Sequence, residues 1–119
     1  MSTKQDGDWG EALVAEFLTK RGCRIVERVW RCRFGEVDLI AEKDGVLLFV
    51  EVKLRSNLQY GMPREFVTAG KQKKLRAAAS LYLSRLKADV PARFDVAEVY
   101  TDAHHSEKGT RVEYIEDAF

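Results

Sequence analysis

A chain of 119 residues, 45% hydrophobic and 33% charged, has the length and composition of one globular domain. It can bury a core without disulfides or a structural metal, and it is too apolar to be a disordered chain. The formal net charge of +1 speaks against a polyanionic partner only in the total. Residues 53–93 carry 10 basic and 2 acidic side chains, while residues 94–119 carry 2 basic and 7 acidic ones. Local fields, not the sum, decide whether an anionic ligand is attracted.

The longest apolar run, Val46–Val50, is far below the roughly 20 residues needed to cross a bilayer, so no membrane span is expected. Met1 to Asp8 lacks the apolar stretch of a secretory leader. Cys23 and Cys32 are too few for a disulfide framework, and their spacing matches no zinc motif. Two structural thiols in a reducing cytoplasm are expected.

Trp9 to Arg21 carries Leu13, Val14, Phe17 and Leu18 at helical spacing. Asp8 is placed to cap this helix, with Glu11 three residues on, and Gly22 to end it. Cys23 to Arg33 reads as an extended segment. Phe34 to Glu42 and Val46 to Arg55 read as two strands joined through Lys43-Asp44-Gly45, a hairpin signal. Alternation puts Val37, Leu39 and Ala41 on one face and Glu36, Asp38 and Ile40 on the other. Both faces of the hairpin are largely apolar, which predicts a central position covered on both sides.

Ser56 to Gly70 reads as a loop with Gly61 and Pro63. A helix is predicted from about Thr68 or Gly70 to Leu86, burying Leu75, Ala78, Ala79, Tyr82 and Leu86. Its first turns hold Lys71, Lys73, Lys74 and Arg76, which oppose the helix dipole and suggest another use for these charges. Arg93 to Tyr100 reads as a strand, Thr101 to Thr110 as a polar turn-rich stretch and Arg111 to Ile115 as an edge strand. His104 and His105 fall in that turn, where a surface loop is expected. Trp9 and Trp30 are expected in the core. The order predicts a mixed α/β layer architecture.

Asp38, Glu51 and Lys53 stand inside the apolar strands, where an unpaired charge costs several kcal/mol. Pairing about Asp44-Gly45 sets residues whose numbers sum to about 89 opposite one another, so Asp38 falls beside Glu51 and Lys53. The two carboxylates and the Val52 carbonyl would make an oxygen cage for Mg²⁺ or Mn²⁺. Lys53 would stabilise an attacking hydroxide or charge on a phosphate. A buried ion-pair network would use the same three residues, and hairpin geometry does not separate the two uses.

Asp38, twelve residues, then Glu51-Val52-Lys53 resembles the signature of restriction-endonuclease-like nucleases. The resemblance extends through Phe34-Gly35-Glu36-Val37-Asp38-Leu39-Ile40-Ala41 and Phe49-Val50-Glu51-Val52-Lys53-Leu54-Arg55. Gly10-Glu11 upstream, and Lys71-Gln72, Tyr82-Leu83 and Arg93-Phe94-Asp95-Val96 downstream, belong to the same pattern. Together they look like the YraN-like bacterial family, related to archaeal Holliday-junction resolvases, over roughly residues 9–100. Val37 stands where the superfamily usually has a proline.

The resemblance implies a single restriction-endonuclease-like domain, a three-layer core with a central mixed sheet flanked by helices. It implies Asp38 and Glu51 as metal ligands and Lys53 as the catalytic lysine. Glu11 matches a first-helix glutamate that completes related sites, and its capping use remains the alternative. Lys71, Gln72 and Lys74 are candidates to hold nucleic acid. Arg55, Arg31 and Arg33 are either phosphate contacts or surface cations. The expected function is a Mg²⁺- or Mn²⁺-dependent endonuclease acting on DNA, by resemblance branched or structured DNA, and resolvases' need for two sites suggests a homodimer. The alternatives are a nucleic-acid-binding protein without catalysis and a partner-binding scaffold using the acidic segment 94–119.

Overall fold

The computed structural model describes residues 3–60, 67–87 and 89–119. Helix α1 (Lys4–Lys20) leads into strands β1 (Arg24–Cys32), β2 (Gly35–Lys43) and β3 (Val46–Ser56). A short 3-10 turn (Asn57–Gln59) follows, then helix α2 (Ala69–Ser84) and strands β4 (Ala92–Thr101) and β5 (Arg111–Ile115). Gly61 and Pro63 of the expected loop lie outside the described residues.

The five strands lie side by side in sequence order, antiparallel except for the parallel pair β3 and β4, which α2 connects. The β2–β3 register runs from Lys43↔Val46 to Leu39↔Val50, so each pair sums to 89 as expected. Asp44 and Gly45 have φ of 52° and 80°, the left-handed pair that a tight hairpin turn requires.

Each sheet face is covered by one helix. Val14, Ala15 and Leu18 of α1 pack on Leu39, Ala41, Leu48, Val50, Ala97 and Val99. Leu75, Ala78 and Ala79 of α2 pack on Val37, Ile40, Leu47, Phe49 and Val96. The result is the expected three-layer α/β arrangement, and it explains why the hairpin is apolar on both faces. Trp9 and Trp30 pack against the two cores from partly buried positions. At the end of α2 the pattern departs from expectation. The helix stops at Ser84, and Leu86 lies beyond it, 37% exposed.

The start of α1 also differs. Thr3, not Asp8, is the cap: its hydroxyl accepts from the Asp6 N–H (3.1 Å), and the Asp6 carboxylate accepts from the Thr3 N–H (3.0 Å). A tertiary contact favours this longer helix. His105 Nε2 lies 2.8 Å from Asp6 Oδ1, and the His105 ring stacks on Trp9 with centroids 4.0 Å apart. The histidine expected in a surface loop is therefore folded back onto α1. Glu11 becomes a mid-helix residue with no capping role.

Fully buried Asp95 ties the end of the chain to β4. It accepts from Arg93 Nε (3.0 Å), the Tyr114 hydroxyl (2.6 Å) and the Asp117 N–H (2.9 Å). Among the described residues no helix is long and apolar enough to cross a membrane.

Candidate metal centre and its basic surroundings

The β2–β3 ladder ends at Leu39↔Val50, where the next pair would set Asp38 against Glu51. Instead of a backbone carbonyl, Asp38 Oδ2 accepts the Val52 N–H at 2.8 Å. In a strand the N–H and C=O of one residue leave on the same side, so the Val52 carbonyl also points toward β2.

The strand faces change at this point. Val37 lies in the α2-side core with Ile40, whereas Leu39 and Ala41 lie in the α1-side core. This corrects the expected alternation, which grouped Val37 with Leu39. The cause is visible on β1. Arg28 pairs with Leu39 and Trp30 with Val37, so Val29 stands across from Asp38. Val29 has φ 53°, a left-handed conformation that a β-branched residue enters at a cost of about 1–3 kcal/mol. The kink carries Trp30 and Val37 to the α2 side and leaves Arg31 and Glu36 on the α1 side.

Four carboxylates gather around the break. Oxygen atoms of Glu11, Glu36 and Asp38 lie within 4.8 Å of one another. Glu51 stays on the α2 side of the sheet, beside Phe49, where Lys71 Nζ lies 3.5 Å from its Oε1. Its other oxygen, Oε2, is buried with no hydrogen-bond partner among the described residues, and the residue is only 9% exposed.

Burial pushes the Asp38 carboxyl up to about 7; Glu51, Glu11 and Glu36 push the same way, against the Val52 N–H. Burial also raises Glu51 above its ordinary value, opposed by the nearby ammonium groups of Lys71 and Lys53. Glu11 is raised by burial and by Glu36 and Asp8, and Arg31 offsets part of this. A group of carboxylates that resist ionising together is one that a divalent cation would relieve.

Lys53 follows Glu51 on the same face of β3, about 7 Å along the strand. Lys71 and Lys74 are exposed on the first turns of α2. Gln72 turns back, its Nε2 donating to the Val67 carbonyl at 2.9 Å. Arg55 is drawn inward. Its Nε donates to Glu98 Oε2 at 2.6 Å and its side chain is 11% exposed. That geometry makes Arg55 a structural ion pair, not an open phosphate contact.

The family model described as Uncharacterised protein family UPF0102 matches residues 10–99, from mid-α1 through most of β4. The chain belongs to this family. It is similar to a UPF0102 protein of Symbiobacterium thermophilum, 54% identical over 98 residues that cover 82% of this chain and 83% of that one. A UPF0102 protein of Clostridioides difficile is 42% identical over 101 residues, 84% of this chain and 89% of that one. Another, of Caldicellulosiruptor bescii, is 40% identical over the full length of both chains.

The segment that places this chain in UPF0102 contains every carboxylate of the cluster together with Lys53 and Lys71. Sequence reasoning passed over one member. Alternation alone places Glu36 on a strand face and assigns it no role, yet its carboxylate lies with Glu11 and Asp38, and Arg31 Nε donates to it at 3.0 Å. The available signal was its position two residues before Asp38.

Proposed function

We propose that this UPF0102 member is a Mg²⁺- or Mn²⁺-dependent endonuclease that hydrolyses DNA phosphodiester bonds, with branched or structured DNA as substrate. The observation that carries the proposal is the buried Oε2 of Glu51, without a hydrogen-bond partner among the described residues, beside a protonation-prone Asp38. A purely structural ion-pair network would satisfy that oxygen.

The donor set fits a hard divalent cation. Oxygen ligands at 2.0–2.6 Å from one ion sit within roughly 5 Å of each other, and Glu11, Glu36 and Asp38 already do so. Asp38 and Glu11 of that trio would hold the ion, joined by the Val52 carbonyl and by Glu51 turning in from the α2 side, while Glu36 stays with Arg31. A bound ion would polarise the scissile phosphate and lower the pKa of a coordinated water. Lys53 would place its ammonium against the charge that develops on the phosphate. Lys71 and Lys74 would hold the neighbouring backbone, and Gln72 would set the α2 terminus through its Val67 bond. Paired cuts in a branched substrate call for two sites, hence a homodimer.

The test is cleavage of labelled junction, flap, single-stranded and linear duplex DNA with Mg²⁺ or Mn²⁺. Metal-dependent cutting that disappears in EDTA and in Asp38→Ala is the expected result. Binding of DNA with no cutting under either metal would replace the endonuclease with a non-catalytic binder.

A further inference from the structure

A concavity of about 400 Å³ opens between the first turns of α1 and the β1–β2 end of the sheet, next to the carboxylate cluster. Lys4, Asp8, Glu11, Val29, Arg31 and Glu36 are among its walls. Arg31 is the notable member. Its side chain is 71% exposed, and its Nε donates to Glu36. The remaining guanidinium donors have no hydrogen-bond partner among the described residues. Glu36 thus fixes the stem of the fork while its prongs stay open to an oxyanion, the geometry suited to a phosphate.

Placement gives this arginine its meaning. The left-handed turn at Val29 sends Arg31 to the α1 side, into the concavity and beside Glu11 and Glu36. Lys53 and Lys71 flank the cluster from β3 and α2. The carboxylates therefore have a cation on each side along the direction that crosses the strands. A comparison lies on the same strand. Arg24 pairs with Glu42 at 3.4 Å and is 68% exposed, but it sits seven residues away, roughly 20 Å, and is no part of that concavity.

We infer that Arg31, held by Glu36, is a second phosphate-binding position, taking a phosphodiester of the nucleic-acid backbone on the β1 side of the site while α2 holds the backbone on the other. This rests on the proposed function, because only a strand passing over the carboxylates would meet both. It assigns to the β1–β2 edge a role in binding polynucleotide.

The test is binding, not cleavage. Fluorescence anisotropy with the full chain and a labelled DNA duplex, in EDTA across 50–200 mM salt, gives the slope of log affinity against log salt. Each phosphate contact contributes about 0.9 to that slope on duplex. Arg31→Ala is expected to lower it by about that amount, Arg24→Ala to leave it unchanged, and Arg31→Lys to restore the slope but not the full affinity, because an ammonium keeps the charge without the fork. If Arg31→Ala matches wild type while Lys71→Ala lowers the slope, the Arg31 position is overturned and the nuclease proposal stands. Equal losses in Arg31→Ala and Arg24→Ala would reduce Arg31 to general surface charge and also overturn it. A wild-type chain with no salt-dependent binding overturns both.

Discussion

Asp38→Asn removes a charge from the crowded end of the β2–β3 ladder and keeps an oxygen that can accept the Val52 N–H. The carboxyl of Asp38 is pushed from 3.8 up to about 7 in the fold. At about 1.4 kcal/mol per pH unit, ionising it in the folded protein costs up to about 4 kcal/mol relative to the unfolded chain. The sign follows from where the proton sits. Below the ordinary carboxylate value both states are protonated and there is no penalty. As pH rises from 4 to 7 the unfolded chain loses its proton first, so wild-type stability falls, and above 7 the whole penalty is present. Glu51 relaxes when its neighbour is neutralised, so a gain of about 1–3 kcal/mol is expected for Asp38→Asn at pH 8. For a domain of this size that is a rise in Tm of roughly 4–12 °C. Thermal melts in EDTA from pH 4 to 8 measure it. The gap between variant and wild type should shrink as pH is lowered toward 4. An Asp38→Asn protein less stable than wild type at pH 8, or a gap that ignores pH, would refute the reasoning.

Lys53→Ala should lower metal-dependent DNA cleavage by about 10²-fold or more while leaving stabilisation by Mn²⁺ in place, as rate assays and melts would show. Glu11→Gln should weaken that stabilisation without changing helix content by circular dichroism, because Glu11 lies in mid-helix and Thr3 is the cap. Asp95→Ala should cost about 1–3 kcal/mol in urea unfolding, since it leaves the Tyr114 hydroxyl and the Asp117 N–H without their acceptor while Arg93 keeps Glu116, and should leave Mn²⁺ binding intact.

What could be read from the sequence was local. The Asp44-Gly45 turn and its flanking strands set the register, and the register put Asp38 near Glu51. What escaped depended on distant partners or on backbone conformation that residue type does not announce. Nothing about a valine marks position 29 as left-handed, yet that turn changes the face of Val37 and brings Glu36 to Glu11. Arg55 looked like a surface cation until β4, 43 residues later, supplied Glu98. Thr3 rather than Asp8 is the cap where His105, from the β4–β5 connection far along the chain, holds Asp6. The division of charge also resolves in space. Asp95 and Glu98 of the acidic segment turn inward and neutralise Arg93 and Arg55 of the basic one, Glu107, Glu116 and Asp117 stay exposed, and Lys71, Lys73, Lys74 and Arg76 remain exposed on α2.

The most direct measurement of the central claim is calorimetric titration of Mn²⁺ at pH 7 into wild type, Asp38→Asn and Glu51→Gln. Wild type should bind with a heat that varies with the buffer, because the Asp38 proton is displaced, and both variants should lose at least tenfold in affinity. Wild-type affinity in both variants would mean that these carboxylates hold no cation.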